Sequence, residues 1–338
     1  MTQRAPCEMK GRTLVTQAPT ALTPGLKTDH TTHAHSEARM IWNIDPIAFS
    51  LPAFIGGREI RYYGLLYMVA LMGAYLLWRW QVMRSGRTQE QAERFLSIAF
   101  AAVIMGARVG HCVFYNPSYY LAHPWEILKV WEGGLASHGA TVTLILTLVY
   151  FARTEAMLIR DVFDRFAIGV AWAASIIRLG NLMNSEIVGR VITNPSDSLI
   201  SFKFPIYERA LWGSCRGCAT SSVPDCVQTA RGCVDITQVP WRHPSQLYEF
   251  LMGMAIFGAL LWVDSRYKEG ARPVGLLGGL FLVLYFSARF IVEYFKEYQA
   301  LTAEQSSLTM GQYLSIPFVL IGAAMISYGF RERARGAA

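Results

Sequence analysis

Residues 276–295 read LLGGLFLVLYFSARFIVEYF, an apolar run with no charged residue before Arg289. An α-helix rises 1.5 Å per residue, so about 20 such residues cross a hydrocarbon core of about 30 Å. Within the run, Tyr285, Arg289 and Glu293 recur at every fourth position, which places them on one stripe of a helix. The stretch therefore predicts a transmembrane helix with one polar face.

Six other apolar runs of similar length accompany this one. The predicted spans cover approximately 62–83, 95–115, 134–152, 162–183, 246–264, 274–296 and 308–330. Of the 338 residues, 53% are hydrophobic and 16% are charged, whereas soluble domains carry about 25% charged residues. We therefore expect an all-α, polytopic membrane protein with seven transmembrane helices. A soluble enzyme, a disordered chain and a nucleic-acid-binding module are excluded.

Basic residues are distributed unevenly between the short loops. Eleven Lys and Arg residues lie in four segments: 84–94, 153–161, 265–273 and the tail after 330. The opposite short loops, 116–133 and 297–307, contain Lys129 alone. Cytoplasmic loops carry the excess of Lys and Arg, so we expect a periplasmic N-terminus and a cytoplasmic C-terminus in a bacterial inner membrane. The net charge of +7 arises in these loops and not in a nucleic-acid-binding patch.

This orientation places the long connection, about 184–245, in the periplasm as a small extracytoplasmic insertion. The insertion holds four of the six cysteines: Cys215, Cys218, Cys226 and Cys233. An oxidising exterior favours disulfides with three possible pairings, and a zinc knot or a redox Cys-x-x-Cys site are the alternatives. We expect Cys7 and Cys112 to be free.

The N-terminal residues 1–39 are polar and lack the apolar core of a secretory signal. We expect them to be disordered, or to result from a mis-assigned initiation codon with the true start at Met40. The remaining residues, 40–338, form the predicted seven-span membrane domain.

Polar side chains of six spans fall near the outer face of the membrane in this topology. They are Tyr62, Tyr63, Arg108, His111, His138, Arg178, Asn181, Asn184, Gln246, Tyr248, Glu249, Tyr285, Arg289 and Glu293. Ionisable residues inside a membrane are costly and mark functional sites, so the common level predicts one polar cavity open to the periplasm. Snorkelling is expected instead for four residues at cytoplasmic helix ends: Arg79, Asp164, Arg165 and Asp264.

Structural ion pairs between helices, such as Arg289 with Glu293, are the alternative explanation of these charges. However, Arg108, Arg178 and Arg289 outnumber Glu249 and Glu293. Spare guanidinium charge predicts an anionic ligand, and a phospholipid headgroup phosphate accepts the planar, bidentate donors of arginine.

The segment Gly133–Ala140 places His138 among small residues. A neutral imidazole is suited to general-base catalysis. A structural role for this histidine, next to glycines that allow close helix packing, is the alternative.

Six motifs follow one another along the chain: Arg61–Leu65, Glu132–Gly139, Arg178–Arg190, His243–Glu249, Arg289–Phe295 and Met310–Pro317. Together they resemble the prolipoprotein diacylglyceryl transferases, a family of bacterial membrane enzymes, and RLGNLMNSEIVGR at 178–190 resembles the family's signature segment. The resemblance is collinear over about 40–335. It also places a family-like start at Trp42–Pro52, which favours Met40 as the first residue.

The resemblance implies an activity. A diacylglyceryl group passes from phosphatidylglycerol to the lipobox cysteine thiol of a prolipoprotein, a thioether forms, and glycerol-1-phosphate leaves. No metal or organic cofactor is expected. Phosphatidylglycerol and lipobox peptides are the expected partners of the membrane-embedded protein.

The resemblance also implies roles for individual residues. Arg178, Asn181, Glu186, Gly189 and Tyr285 are expected to bind phosphatidylglycerol, with Gln246 and Glu249 in support. His138, Arg289, Glu293 and Tyr63 are expected to be catalytic. His138 is the first choice as general base, Glu293 paired with Arg289 or Glu249 are the alternatives, and Tyr63 would orient the lipid or the thiol.

The chain departs from the family pattern at a few positions. Ile177 and Ser185 stand where glycine is usual, Val188 replaces an aromatic residue, and Ala140 replaces a second glycine after His138. The polar residues are retained, so activity is expected. A non-catalytic lipid or solute transporter and a membrane scaffold are the alternative functions. The first would need a polar access route on the cytoplasmic side, and the second leaves the unpaired arginines unexplained.

Overall fold

The structure is a computed structural model. It describes residues 38–52, 54, 56–130, 133–194, 198–215, 225–267, 271–298 and 306–336. Most of the N-terminal segment 1–39 therefore lies outside the described residues. Its last two residues belong to strand β1 (Ala38–Ile41), which pairs in parallel with β4 (Ile200–Lys203). The domain boundary expected at Met40 thus falls inside a paired strand.

Long helices make up most of the described residues. They are α1 (Tyr62–Arg84), α2 (Gln89–Tyr115), α4 (Ser137–Thr154), α5 (Ile159–Met183), α6 (Ser245–Ser265), α7 (Leu276–Val292) and α8 (Met310–Gly336), with a short α3 (Pro117–Ala122). Five of them, α1, α2, α5, α6 and α8, are long and apolar enough to cross a membrane, and α7 is apolar but shorter. The chain is thus a mostly helical, polytopic membrane protein.

Close helix contacts depend on small residues at the crossing points. A Cβ added at Gly139 of α4 would lie 2.1 Å from the carbonyl oxygen of Gly106 in α2. In the same way, a Cβ at Gly322 of α8 would lie 2.6 Å from the carbonyl oxygen of Gly279 in α7. Such small residues let helix backbones approach in a membrane, where no hydrophobic effect drives helices together.

Helix α5 lies at the centre and contacts α1, α4, α6 and α7. Trp78, Phe95 and Phe151 fill a buried cluster between α1, α2 and α4, where the ring centroids of Trp78 and Phe95 are 4.3 Å apart. A second cluster joins α5 to α6 and α7 around Ile168 and Leu260. This packing fixes the end of α5, from which the candidate site is built.

The prediction that Asp164 snorkels is wrong, because its side chain is fully buried. Its two carboxylate oxygens accept hydrogen bonds from the backbone nitrogens of Gly275 (2.8 Å) and Gly278 (2.7 Å). These nitrogens lie at the start of α7, where backbone N–H groups have no partner within the helix. Asp164 therefore caps α7 from α5.

Asp264 and Arg165 do not snorkel either. Asp264 is 2% exposed and accepts hydrogen bonds from Gln81 (2.8 Å), Arg84 (2.6 Å) and Arg272. Arg165 donates to the backbone oxygen of Gln81 at 2.7 Å. Neighbouring helices thus satisfy these charges inside the protein, which the apolar pattern of each separate helix does not reveal.

At the other end of the bundle, residues 38–61 and 184–242 form a small head, of which the described part contains three sheets. The first has the order β1–β4–β7, with β7 at Trp241–Arg242. Two hairpins complete it, β2 (Ile47–Ser50) with β3 (Glu59–Arg61) and β5 (Cys226–Thr229) with β6 (Gly232–Asp235). The indole nitrogen of Trp42 donates to the carbonyl oxygen of Leu182 at 2.9 Å and ties the head to α5.

A disulfide joins Cys215 to Cys226 at the start of the β5–β6 hairpin, with the two Cα atoms 6.1 Å apart. Cys233 is also disulfide-bonded. Cys112 is a free, buried cysteine in α2, and Cys7 and Cys218 lie outside the described residues. No group of three metal-binding side chains occurs in the described ranges.

Candidate functional site

Two cations share one carboxylate where α5 and α6 meet beneath the head. The Arg178 Nε atom lies 3.2 Å from Glu249 Oε2, in ion-pair contact but without hydrogen-bond alignment. On the other oxygen, the Nζ atom of Lys296 lies 3.4 Å from Glu249 Oε1. The side chains of Glu249 and Lys296 are 9% and 4% exposed. Because few waters screen them, these charges interact strongly.

A chain of polar contacts leads from Arg178 toward the head. Its Nη1 atom donates to Asn181 Oδ1 at 3.3 Å, and Asn181 Nδ2 donates to Glu186 Oε1 at 2.8 Å. Gln246 Nε2 donates to the backbone oxygen of Glu186 at 2.7 Å. The backbone turns sharply at Ser185, whose φ is 52°. Four of the predicted site residues are therefore directly connected.

A narrow cavity opens beside this cluster and is lined by Arg178, Glu249, Tyr285 and Arg289. Within the described ranges, the Arg289 guanidinium forms no ion pair and no hydrogen bond. The pairing of Arg289 with Glu293, the alternative explanation of these charges, is therefore not observed. Around one carboxylate, the cavity has a surplus of positive charge and can accept an anion.

Glu293 is 7% exposed and lies against the start of α8. A Cβ added at Gly311 would be 2.7 Å from its carboxylate. Its Oε2 atom is buried without a hydrogen-bond partner. Glycine at position 311 leaves just enough room for this carboxylate, which can still accept a proton or a hydrogen bond.

Tyr63 packs against α5 at Gly180, the residue directly before Asn181. Its Cδ2 atom would lie 3.0 Å from a Cβ added at Gly180, and its ring stacks on that of Tyr67 with the centroids 6.3 Å apart. The absent side chain at Gly180 thus allows Tyr63 to approach the cluster of polar residues from α1.

Gly189 is approached closely, but by protein backbone. Its nitrogen donates to the carbonyl oxygen of His243 at 3.0 Å, and the nitrogen of Arg190 donates to that of Phe295 at 2.8 Å. A Cβ at Gly189 would lie 2.3 Å from the first oxygen and 2.6 Å from the second. Gly189 therefore joins the segments after α5 and α7 to the start of α6, and leaves no space for a headgroup.

Arg108 already has hydrogen-bond partners within the protein. Its guanidinium donates to the backbone oxygens of Glu126 (2.5 Å), Ile127 (2.9 Å) and Gly133 (2.6 Å) and lies over the ring of Tyr120. With only 3% of its surface exposed, it holds the loop between α2 and α4 in place. The expectation that Arg108 contributes anion-binding charge is therefore wrong.

His138 lies at the first turn of α4, exposed to solvent. Its ring stacks on Tyr115 at 6.0 Å and meets Phe114 edge-on at 5.4 Å. Among the described residues, no hydrogen bond, ion pair or ring contact links it to the Arg178 cluster. The predicted outer-level residues thus form two groups, one on α5–α7 and one on α2 and α4, rather than one continuous network.

Three site residues were missed by the sequence analysis: Lys296, Arg190 and Arg242. Arg190 donates to the backbone oxygen of Lys296 at 2.8 Å, and Arg242 is paired with Glu208 at 2.9 Å. The positions of Arg190 and Lys296, at the end of the signature segment and three residues after Glu293, are the signals that could have identified them.

The head contains a second polar space. A cleft of about 590 Å³ is bordered by Asn184, Ser185 and Glu186 and extends to the β5–β6 hairpin. Burial, together with a hydrogen bond to Glu297, raises the pKa of Tyr207 at its wall to about 12. This hydroxyl therefore stays protonated and donates to Glu297 at 2.5 Å.

The helix bundle and its arginine–carboxylate cluster define a polytopic membrane protein with a cavity lined by charged side chains. Comparison with known proteins identifies the family: the sequence profile described as prolipoprotein diacylglyceryl transferase matches residues 46–328. The chain belongs to this family, as its motifs indicated.

Similar proteins include the phosphatidylglycerol–prolipoprotein diacylglyceryl transferase of Tolumonas auensis, which is 37% identical over 300 residues, covering 88% of this chain and 100% of the relative. The protein of the same name from Chloroherpeton thalassium is 39% identical over 298 residues, or 87% and 95% of the two chains. That from Bacteroides fragilis is 35% identical over 304 residues, or 86% and 96%.

Proposed function

We propose that this protein transfers the sn-1,2-diacylglyceryl group of phosphatidylglycerol to the lipobox cysteine thiol of prolipoproteins. One observation carries the proposal beyond family membership: Arg178 and Lys296 share a single carboxylate, Glu249, and Arg178 and Glu249 line a cavity beneath the head together with Arg289. This buried surplus of positive charge suits a phosphate diester, which offers the oxygens that guanidinium groups bind best.

The chemistry requires a thiolate and a stabilised leaving group. The thiol gives its proton to a base, and the sulfur attacks the glycerol carbon that bears the phosphate ester. A carbon–sulfur bond forms, and the carbon–oxygen bond breaks. Glycerol-1-phosphate leaves with the electron pair and takes up a proton. Positive charge fixed in a dry cavity stabilises the developing phosphate monoester.

In this proposal Arg178 binds the phosphate, and Arg289, with no partner among the described residues, meets the charge that develops on the leaving group. Asn181 and Glu186 contact the glycerol headgroup, Tyr285 lines the lipid cavity, and Tyr63 orients the lipid or the thiol. Gln246 supports the turn that presents Glu186.

His138 remains the proposed general base, because its exposed ring has no hydrogen bond to any described residue and is free to accept a proton. Glu249 is less suited, since its carboxylate already neutralises Arg178 and Lys296. Glu293, with one oxygen buried and unpartnered, is the alternative base.

We also propose seven spans in a bacterial inner membrane, with the head and the N-terminus in the periplasm and the C-terminus in the cytoplasm. The Cys215–Cys226 disulfide in the head supports this orientation, because disulfides persist in oxidising compartments. The basic loops at the opposite end support it independently.

A non-catalytic transporter would need a second polar opening. The opposite end of the bundle contains a polar cleft of about 310 Å³, lined by residues that include Arg84, Asp161 and Asp264. Both carboxylates are paired with arginines, Asp161 with Arg165 at 3.0 Å and Asp264 with Arg84 at 2.6 Å. Such pairing stabilises the helix ends and does not favour a transport route.

The test uses purified full-length protein, phosphatidylglycerol and a synthetic lipobox peptide, followed by mass spectrometry of the peptide. We expect a mass gain of one diacylglyceryl group, which is lost when the peptide cysteine is replaced by serine. No gain, beside an active family member under the same conditions, would overturn the proposal. Flux of lipid or solute into proteoliposomes would then support the transporter instead.

A further inference from the structure

The cleft in the head and the lipid cavity are two separate spaces, and hydrogen-bonded residues lead from one to the other. The lining residues of the cleft include Arg61 at the end of β3, Arg209, and Arg231 in the turn of the β5–β6 hairpin. Arg242 and Glu186 also line the cleft. Glu186 also receives the hydrogen bond from Asn181, which in turn contacts Arg178. A molecule in the cleft would thus lie next to the headgroup end of the proposed lipid site.

The carboxylates of the cleft already have partners within the protein. Arg242 pairs with Glu208 at 2.9 Å and with Glu297 at 3.4 Å. Glu297 also accepts the hydrogen bond from Tyr207, and Glu186 accepts that from Asn181. Glu208 and Glu297 thus share one arginine and Glu186 contacts an uncharged amide, so the four arginines and three glutamates that line the cleft leave a net charge of +1.

Three arginines of the cleft are left without a counter-ion. Within the described part of the chain, Arg61, Arg209 and Arg231 form no ion pair. Arg209 and Arg231 lie over the ring of Trp212, at 6.0 and 5.0 Å from its centroid. Stacking on one indole holds both guanidinium groups in place while their N–H groups face the cleft or solvent.

The β5–β6 hairpin that carries Arg231 is fixed to the rest of the head. The Cys215–Cys226 disulfide anchors its first strand, and Gly213 donates from its nitrogen to the carbonyl oxygen of Cys233 at 2.8 Å. At the turn, the Thr229 hydroxyl accepts from the nitrogen of Arg231 at 3.2 Å. Arg231 thus belongs to a rigid element, which favours selective binding.

We propose that this arginine cleft binds the segment of the acceptor protein that directly follows the lipidated cysteine, and that it favours acidic residues there. The inference rests on the proposed transferase function and specifies its acceptor. The cysteine must reach the lipid cavity, and the chain that continues from it into the periplasm would pass the cleft beside Glu186. Fixed arginines along this path attract carboxylates and repel basic side chains.

A second lipid is a poorer occupant of the cleft. Most of its lining side chains are charged or polar, among them Arg61, Glu208, Arg209 and Glu297. Acyl chains need an apolar wall, because apolar surface is stabilised by removal from water. A polar peptide segment meets no such requirement.

The test compares three lipobox peptides that are identical up to the cysteine. The three residues after it are acidic, neutral or basic. We expect kcat/KM to be about fivefold to tenfold higher for the acidic than for the neutral peptide, and lowest for the basic one. The difference should shrink as the salt concentration rises from about 50 to about 500 mM, because screening weakens contacts between exposed charges.

The variant Arg231→Glu should lower the ratio of acidic to basic rates at least fivefold. The matched control is Arg58→Glu, an exposed residue of the head that does not line the cleft, and its ratio should equal that of the unmodified protein. Thermal unfolding of both variants shows whether they are folded.

Equal rates for the three peptides with the unmodified protein would overturn the inference. If none of the peptides were modified, the transferase function itself would fail, so the two failures are distinguishable. A higher KM for phosphatidylglycerol in Arg231→Glu, the same with all three peptides, would identify the cleft as a lipid site and also contradict the inference.

Discussion

Arg178 on α5 and Glu249 on α6 approach to 3.2 Å, and the other oxygen of Glu249 lies 3.4 Å from Lys296. One carboxylate therefore partly neutralises two largely buried cations. An anionic phosphate entering the cavity would take over part of this neutralisation. The pair thus makes the site stable before the lipid binds and leaves it electropositive.

This arrangement predicts the behaviour of Glu249→Gln. Removing the charge leaves Arg178 and Lys296 without compensation, so the free energy of unfolding should fall by about 3 kcal/mol. Phosphatidylglycerol should restore stability, because its phosphate replaces the lost charge. In thermal unfolding, the midpoint should rise more on addition of this lipid in the variant than in the unmodified protein.

The control is Glu208→Gln, which breaks the contact with buried Arg242 at 2.9 Å outside the lipid cavity. It should lower the midpoint without enlarging the response to phosphatidylglycerol. The same response to the lipid in both variants would contradict a role for Glu249 as the counter-ion that phosphate replaces.

Arg178→Gln should lower kcat/KM for diacylglyceryl transfer about 100-fold to 1000-fold, a typical loss when one donor to a developing charge is removed. Arg178→Lys should be intermediate, because an ammonium keeps the charge but not the planar fork. Arg331→Gln, an exposed residue of α8, is the control and should be fully active. Retained transfer in folded Arg178→Gln would exclude this residue from phosphate binding.

Three variants separate the candidate bases. His138→Gln should lose at least about 100-fold in kcat, since a positioned base contributes about 100-fold to 10,000-fold. At saturating phosphatidylglycerol, Glu293→Gln and Glu249→Gln should keep transfer within about tenfold of the unmodified rate. A large loss in Glu293→Gln alone would assign the base to that carboxylate, whose Oε2 atom is buried without a partner.

The sequence indicated the helices well, because long apolar runs reflect the bilayer directly. It did not predict where α7 ends. The helix stops at Val292 rather than near 296, since the chain turns so that Lys296 bridges to Gly189 and reaches Glu249. Contacts between segments more than 100 residues apart leave no trace in local hydropathy.

The count of acidic and basic side chains also led to the wrong expectation that Arg108 lacks a partner. Its partners are backbone oxygens of the loop after α2, such as Ile127 and Gly133, and these are invisible in a balance of acidic and basic residues. By contrast, the Arg178–Asn181 contact follows from the local sequence, because residues three apart share one helix face. Local periodicity therefore predicted part of the site, and tertiary backbone contacts determined the rest.

The backbone conformation at Ser185 leads us to expect that a substitution there is stabilising. Its φ of 52° is unfavourable for a residue with a side chain, and its hydroxyl is buried without a hydrogen-bond partner. Ser185→Gly should therefore raise the thermal midpoint, with a gain of about 1 kcal/mol. Ser201→Gly is the matched control, because its hydroxyl is equally unpartnered but it lies within strand β4, where glycine weakens pairing. A lower midpoint in Ser185→Gly would show that the turn is not strained.

The buried carboxylate of Asp264 should matter far more for stability than an exposed one. It accepts from Gln81, Arg84 and Arg272, so Asp264→Asn removes the counter-ion of Arg84 and the nearest of three carboxylates around Arg272, at a cost of about 3 kcal/mol. Glu332→Gln breaks the exposed contact with Arg160 at 2.9 Å and should cost less than about 1 kcal/mol. The test compares the thermal unfolding midpoints of the two variants in the same detergent. Since Asp264 lies at the end opposite the head, folded Asp264→Asn should still transfer the diacylglyceryl group. Equal unfolding midpoints for the two variants would show that this cluster does not hold α1 to α6.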